Sequence, residues 1–148
     1  MTETWQDFVA KSDGAKPRLL LVDDDSRVLA SAKSRLERKG FEIVAILEGS
    51  EDLDNLSKLE GLIVGCAPRA VITDFDMSNF DGERLRAESK RLFPQLPVVL
   101  WCANEAAIQA AAKSGFNGAV NKVDDIDVMV KLLASEGINA TPNKPPRS

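Results

Sequence analysis

Acidic side chains and one lysine are the groups in this sequence whose spacing could support chemistry. Asp23-Asp24-Asp25 follows the apolar run Leu19 to Val22, and Asp74-Phe75-Asp76 follows Val71-Ile72-Thr73. Lys122 closes the short segment Gly118 to Asn121. If these segments are strands of a doubly wound sheet, each group sits at a carboxyl end, where such folds bind ligands. If the strand order is the flavodoxin-like one, the first and third strands are neighbours, so Asp23, Asp24 and Asp74 converge. Carboxylates packed together repel, and some would protonate unless positive charge joined them. A hard divalent cation such as Mg²⁺ takes oxygen ligands from one or two carboxylates and bridges to phosphate. Together with the Lys122 ammonium it balances Asp23, Asp24 and Asp74. This set favours phosphoryl transfer to a carboxylate. Asp74 attacks, the cation neutralises charge on the phosphoryl oxygens, and Lys122 contacts another oxygen.

The chain has no histidine. His-based triads, histidine zinc sites and a phosphohistidine on this chain are therefore excluded. Other residues near the acids have simpler readings. Asp25 suits the N-cap of the helix that follows, and Asp81-Gly82 suits a turn and helix start. Cys102 suits a small buried side chain, and Trp101 suits packing. Asp76 and Asn104 flank the site, two positions after Asp74 and Cys102.

The elements that must position these groups are legible from periodicity. Arg18 to Asp23, Phe41 to Leu47, Arg69 to Thr73, Val98 to Cys102 and Gly118 to Asn121 read as strands. Helical periods cover Ser26 to Lys39, Leu53 to about Val64, Glu83 to Leu92, Asn104 to Ser114, and a last segment marked by Ile126, Met129, Val130 and Leu133. Strands alternating with helices imply a parallel sheet covered on both faces. The expected architecture is an α/β, flavodoxin-like, doubly wound, five-stranded parallel sheet of order 2-1-3-4-5 with five helices. Residues 17–136 form the domain. Residues 1–16 read as an extension with a short helix around Trp5, Phe8 and Val9, capped by Thr4 with Asp7. Residues 137–148, polar with three prolines, read as a flexible tail.

At 148 residues the chain is long enough for one domain with a real core. No apolar run approaches the roughly 20 residues that cross a bilayer. The start of the sequence, acidic at Glu3 and Asp7, lacks a signal-peptide pattern, so export is not expected. Cys66 and Cys102 give neither a disulfide framework nor metal-ligand spacing, which suits a reducing cytoplasm. A net charge of −4 argues against nucleic acid as the direct partner.

These residues in this order resemble the receiver domain of two-component response regulators, the CheY-like family, over about Arg18 to Ser135. The matching segments are Leu20-Leu21-Val22-Asp23-Asp24, Val71-Ile72-Thr73-Asp74 with Met77 and Asp81-Gly82, Pro97-Val98-Val99, and Gly115 through Lys122. The resemblance implies that Asp23 and Asp24 are the acidic metal pair and Asp74 the phosphoacceptor. It also implies that the Asp76 carbonyl is a metal ligand and that Lys122 is the site lysine. A histidine kinase or histidine phosphotransfer protein would donate the phosphoryl group, and a protein target would read it on the 104–135 face. A homodimer is compatible with the family pattern. The sequence also departs from that pattern. Cys102 replaces the fourth-strand hydroxyl that bonds the phosphoryl group, and a thiol is a weaker donor. Ala119 stands at the aromatic switch position, Val123 where a proline usually follows the lysine, and Ser78 where a proline usually follows Met77.

The leading expectation is a single-domain response regulator: a phosphoacceptor rather than a multiple-turnover enzyme. Cys102, Ala119 and Val123 motivate an alternative, a degenerate receiver that binds partners without phosphorylation. Asp74-Phe75-Asp76 also resembles the nucleophile motif of haloacid-dehalogenase-type phosphatases. Those enzymes need a later strand-end acidic pair, and here Asp124-Asp125 follows Lys122 with no new strand before it.

Overall fold

Short β-branched or leucine-rich runs form the strands, and the longer amphipathic segments between them form the helices. A computed structural model describes residues 16–141. Within them β1 (Arg18–Asp23) leads to α1 (Ser26–Arg38), β2 (Glu42–Leu47), α2 (Leu59–Cys66) and β3 (Ala70–Thr73). Then come α3 (Gly82–Leu92), β4 (Val98–Cys102), α4 (Glu105–Ser114), β5 (Gly118–Asn121) and α5 (Ile126–Ser135). All strand pairings are parallel, in the order β2-β1-β3-β4-β5. This is the expected flavodoxin-like arrangement. The helix expected around Trp5 to Val9 lies outside the described residues, as do residues 142–148.

Alternation along each strand divides the core into two layers. Leu20, Val22, Val71, Val98, Leu100 and Cys102 face one way, against Leu59 and Ile63 of α2, Leu85 of α3 and Ala111 of α4. Leu19, Leu21, Ile72, Val99, Trp101 and Val120 face the other, against Leu29, Ala32 and Leu36 of α1 and Met129 and Leu133 of α5. Every residue of β3 and β4 is buried, as parallel strands covered on both faces must be. Each such leucine, isoleucine or valine contributes roughly 1.5–3 kcal/mol of transfer free energy. Asp25 caps α1, its side chain accepting from the Arg27 and Val28 amides. Asp81 caps α3 in the same way, accepting from the Arg84 amide.

Two boundaries differ from the sequence reading by more than two residues. The second helix begins at Leu59, not at Leu53. Gly49 adopts a left-handed φ of 94°, and the Asn55 side chain accepts from the Ser57 amide to start a single 3₁₀ turn, Leu56–Lys58. Short polar side chains that bond their own backbone compete with helix here. Leu53 is nevertheless fully buried, so its apolar signal marked core rather than helix. The flexible tail expected from residue 137 does not start there. Ile138 is 2 % exposed and packs with Leu36 and Leu133. The Thr141 amide donates to the Gly40 carbonyl at 3.1 Å. A Cβ on Gly40 would meet the Thr141 carbonyl oxygen at 2.1 Å, so this docking uses the glycine. An isolated isoleucine after a glycine carries no periodicity, which is why the segment read as a tail.

Candidate functional site

Strand register decides which carboxylates meet. Val22 of β1 pairs with Thr73 of β3, so the next residues, Asp23 and Asp74, leave the sheet side by side. The Asp74 amide donates to the Val22 carbonyl at 3.1 Å. Cys102 of β4 pairs with Asn121 of β5, and the Lys122 amide then donates to the Cys102 carbonyl at 3.0 Å. From there the Lys122 Nζ reaches Asp23 Oδ2 at 2.7 Å and Asp74 Oδ1 at 3.2 Å. Asp23, Asp24 and Asp74 each offer an oxygen within 4.8 Å of the other two. The convergence expected from the sequence is thus present.

Burial grades these groups. The Asp23 side chain is 5 % exposed and that of Asp74 13 %, whereas Asp24 is exposed at the rim. Burial pushes the Asp74 carboxyl above its ordinary value and the Asp23 charge adds to this, while Lys122 opposes it. For Lys122, burial works against the charge. The hydrogen bond to Asp23 and the charges of Asp23 and Asp74 outweigh it and hold the pKa up. The lysine therefore stays protonated. Negative charge exceeds positive in the cluster, and all its donors are oxygens, which fits a hard divalent cation.

The loop after β3 runs beside the acids and touches Asp24. A Cβ on Gly82 would lie 2.4 Å from the Asp74 carbonyl oxygen, and the Gly82 amide donates to the Phe75 carbonyl at 2.7 Å. The glycine lets α3 start against the backbone of the Asp74 segment. The Ser78 hydroxyl donates to Asp24 Oδ2 at 3.1 Å. Asp76 is exposed, and the carboxylate cluster comprises Asp23, Asp24 and Asp74 without it. Asn104 caps α4 by accepting from the Ala107 amide, and its carbonyl accepts the Cys102 thiol at 3.7 Å. Burial raises the Cys102 thiol above its ordinary value, and that hydrogen bond only partly offsets the rise. It is held as a protonated, weak donor.

Sequence reasoning missed two contacts: Glu48 bonding the Asn79 amide, and Ser78 bonding Asp24. Glu48 had a signal, since a charged residue follows β2 at the same edge of the sheet as Asp23 and Asp74.

Residues 19–134 match the family model of the response regulator receiver domain. The chain belongs to that family. Among curated relatives, this receiver domain is 32 % identical over 92 residues to the transcriptional regulatory protein PrrA of Mycobacterium leprae, covering 62 % of this chain and 36 % of that one. It is 31 % identical over 117 residues to the transcriptional regulatory protein GlrR of Escherichia coli, covering 78 % of this chain and 25 % of the relative. The chain thus spans about a third or less of the length of these relatives. Among solved structures, the response regulator TrrA of Thermotoga maritima, in complex with Mg(2+)-BeF, superposes with a TM-score of 0.68 at 18 % identity. That match covers 81 % of this chain and 98 % of TrrA. A two-component response regulator from Clostridium difficile gives a TM-score of 0.67 at 18 % identity, over 82 % and 95 % of the two chains. The structural matches establish the receiver fold. Family membership implies the phosphoacceptor role for the domain. No helix among the described residues is long and apolar enough to cross a membrane.

Proposed function

We propose that this receiver domain accepts a phosphoryl group on Asp74 in a Mg²⁺-dependent reaction and signals through altered protein binding. One observation carries the reading: Asp74, 3.2 Å from the Lys122 ammonium, lies within 4.8 Å of the carboxylates of Asp23 and Asp24. Asp23, Asp24, Asp74 and the Asp76 carbonyl would hold Mg²⁺, which when bound supplies positive charge to the phosphoryl oxygens. The chain's own residues do the rest. An Asp74 carboxylate oxygen forms the new bond to phosphorus while the donor's bond to phosphorus breaks. Lys122, kept protonated by Asp23 and Asp74, turns its charge to the incoming phosphoryl oxygens. Register places both groups in advance, so little reorganisation precedes the transfer. Each chain takes one phosphoryl group, which makes the reaction stoichiometric rather than a multiple-turnover catalysis.

Phosphorylation exchanges one negative charge on Asp74 for about two. Such a modest change needs a bistable element to be read out. With Cys102 and Ala119 at the switch positions, an aromatic ring cannot serve as that element on β5. The output face is 104–135, where Val123 is 84 % exposed and available to a protein partner. The net charge of −4 supports a protein rather than a nucleic acid as that partner. The absence of a disulfide between Cys66 and Cys102 suits a cytoplasmic setting. Incubation with acetyl phosphate and Mg²⁺ should add one phosphoryl group by intact mass spectrometry. The addition should vanish in EDTA and in Asp74→Ala. No addition, or one that survives Asp74→Ala, refutes the assignment.

A further inference from the structure

Glu48 is a buried carboxylate with no part in the chemistry above. It follows β2 at the edge of the sheet that carries Asp23 and Asp74, and it is 3 % exposed. Its two oxygens both accept from the backbone N–H of Asn79, at 3.1 and 3.2 Å. Its own N–H donates to the Asp23 carbonyl at 2.8 Å. One residue therefore ties the end of β1 to the loop after β3. That loop carries Asp76, and its Ser78 hydroxyl donates to Asp24 Oδ2 at 3.1 Å. On Coulomb grounds alone Glu48 is badly placed, because it adds negative charge to an edge where acids already outnumber bases. Burying a carboxylate is costly unless it is hydrogen-bonded, and a bond from a backbone N–H to a charged acceptor is among the stronger ones. The arrangement makes sense as a geometric brace.

We propose that Glu48 is a positioning residue that presets the divalent-cation site. Its carboxylate reaches Asn79 and fixes the 75–80 loop, so that Ser78 and the loop backbone stand against Asp24 before a cation arrives. This rests on the metal-and-phosphoryl reading of the Asp23, Asp24 and Asp74 cluster. Partners in the outer shell of a metal site commonly set its affinity by orienting the ligands.

Two conservative variants separate reach from charge. Glu48→Gln keeps the length and an acceptor oxygen but removes the charge. Glu48→Asp keeps the charge but falls short of Asn79. Mn²⁺ titration of the full chain, followed by the electron paramagnetic resonance signal of free Mn²⁺, should show Glu48→Asp weakened about tenfold. Glu48→Gln should stay within about threefold of wild type. In the metal-free protein, the Asn79 amide should exchange with solvent about tenfold faster in Glu48→Asp and stay protected in Glu48→Gln. The reverse ranking in Mn²⁺ affinity would assign the effect to charge and overturn the proposal. So would wild-type affinity in both variants, or unchanged Asn79 exchange in Glu48→Asp. If wild type itself binds no Mn²⁺ while Asn79 exchange still responds, the metal reading fails and takes the positioning role with it. Wild-type binding without a Glu48 effect refutes the positioning role alone.

Discussion

Replacing Asp74 by asparagine should stabilise the metal-free protein, although it removes an ion pair. The site gathers Asp23, Asp24 and Asp74 around one ammonium. At an effective dielectric constant of about 20, two carboxylate charges no more than 4.8 Å apart repel by at least roughly 3–4 kcal/mol. Attraction between Asp74 and Lys122 at 3.2 Å is roughly 5 kcal/mol on the same scale. Asp24 is exposed and adds only a screened repulsion. The Coulomb contributions therefore nearly cancel, and the cost of desolvating the Asp74 carboxylate decides the outcome. The raised pKa of Asp74 has the same leading cause, burial, followed by Asp23. Asp74→Asn removes that cost, so a gain of about 1–2 kcal/mol at neutral pH is expected. That corresponds to roughly 3–8 °C in Tm for a domain of this size.

The pH dependence follows from linkage. A carboxyl whose folded-state pKa is raised costs nothing below its ordinary value, here 3.8. Its cost appears as the pH rises through the folded value and is constant above that. Thermal melts in EDTA should therefore show the Tm gap between Asp74→Asn and wild type close to zero near the acid end. The gap should open as the pH rises and then level off. Mg²⁺ should shrink it, because a cation favours the charged Asp74. An equal or lower Tm for Asp74→Asn in EDTA at neutral pH, or a gap independent of pH, refutes the reasoning.

Gly82→Ala should cost about 2–3 kcal/mol and slow phosphorylation by acetyl phosphate, since the new Cβ meets the Asp74 and Phe75 backbone at 2.4 and 3.2 Å. Chemical denaturation and the mass assay check the two effects, and an unchanged midpoint counts against the close approach. Ile138→Ala should destabilise by about 2–4 kcal/mol because Ile138 is buried against Leu133. An effect under about 0.5 kcal/mol, the usual size for a surface change, would remove it from the core. Cys102→Ser restores a hydroxyl where the protein has a protonated thiol. It should lengthen the lifetime of the Asp74 phosphoryl group by about threefold to tenfold, followed as loss of the added mass with time. A shorter or unchanged lifetime would show that donor strength at this position does not limit that stability.

Much of the chemistry was written in the sequence because it depends on residue type at strand ends. Asp23 and Asp74 stand at the ends of buried runs, and a run buried on both faces can expose polar groups only at its ends; Lys122 follows the short segment Gly118–Asn121. The caps at Asp25 and Asp81 were legible for a similar reason: their bonds are local in sequence. What lay beyond the sequence depends on contacts between distant segments. Glu48 and Asn79 are 31 residues apart, and Ser78 and Asp24 are 54 apart. Ile138 docks on the core through neighbours such as Leu36 that no period links to it.

The amino-acid order alone determined the succession of strands and helices, the parallel sheet and the acid–lysine set, because these follow from local pattern and backbone geometry. Only the tertiary structure decided the register that sets Asp23 beside Asp74, the reach of Lys122 to both, and the bracing of the loop by Glu48. Those depend on how separately formed elements pack, and a strand displaced by one residue would turn its side chains to the other face.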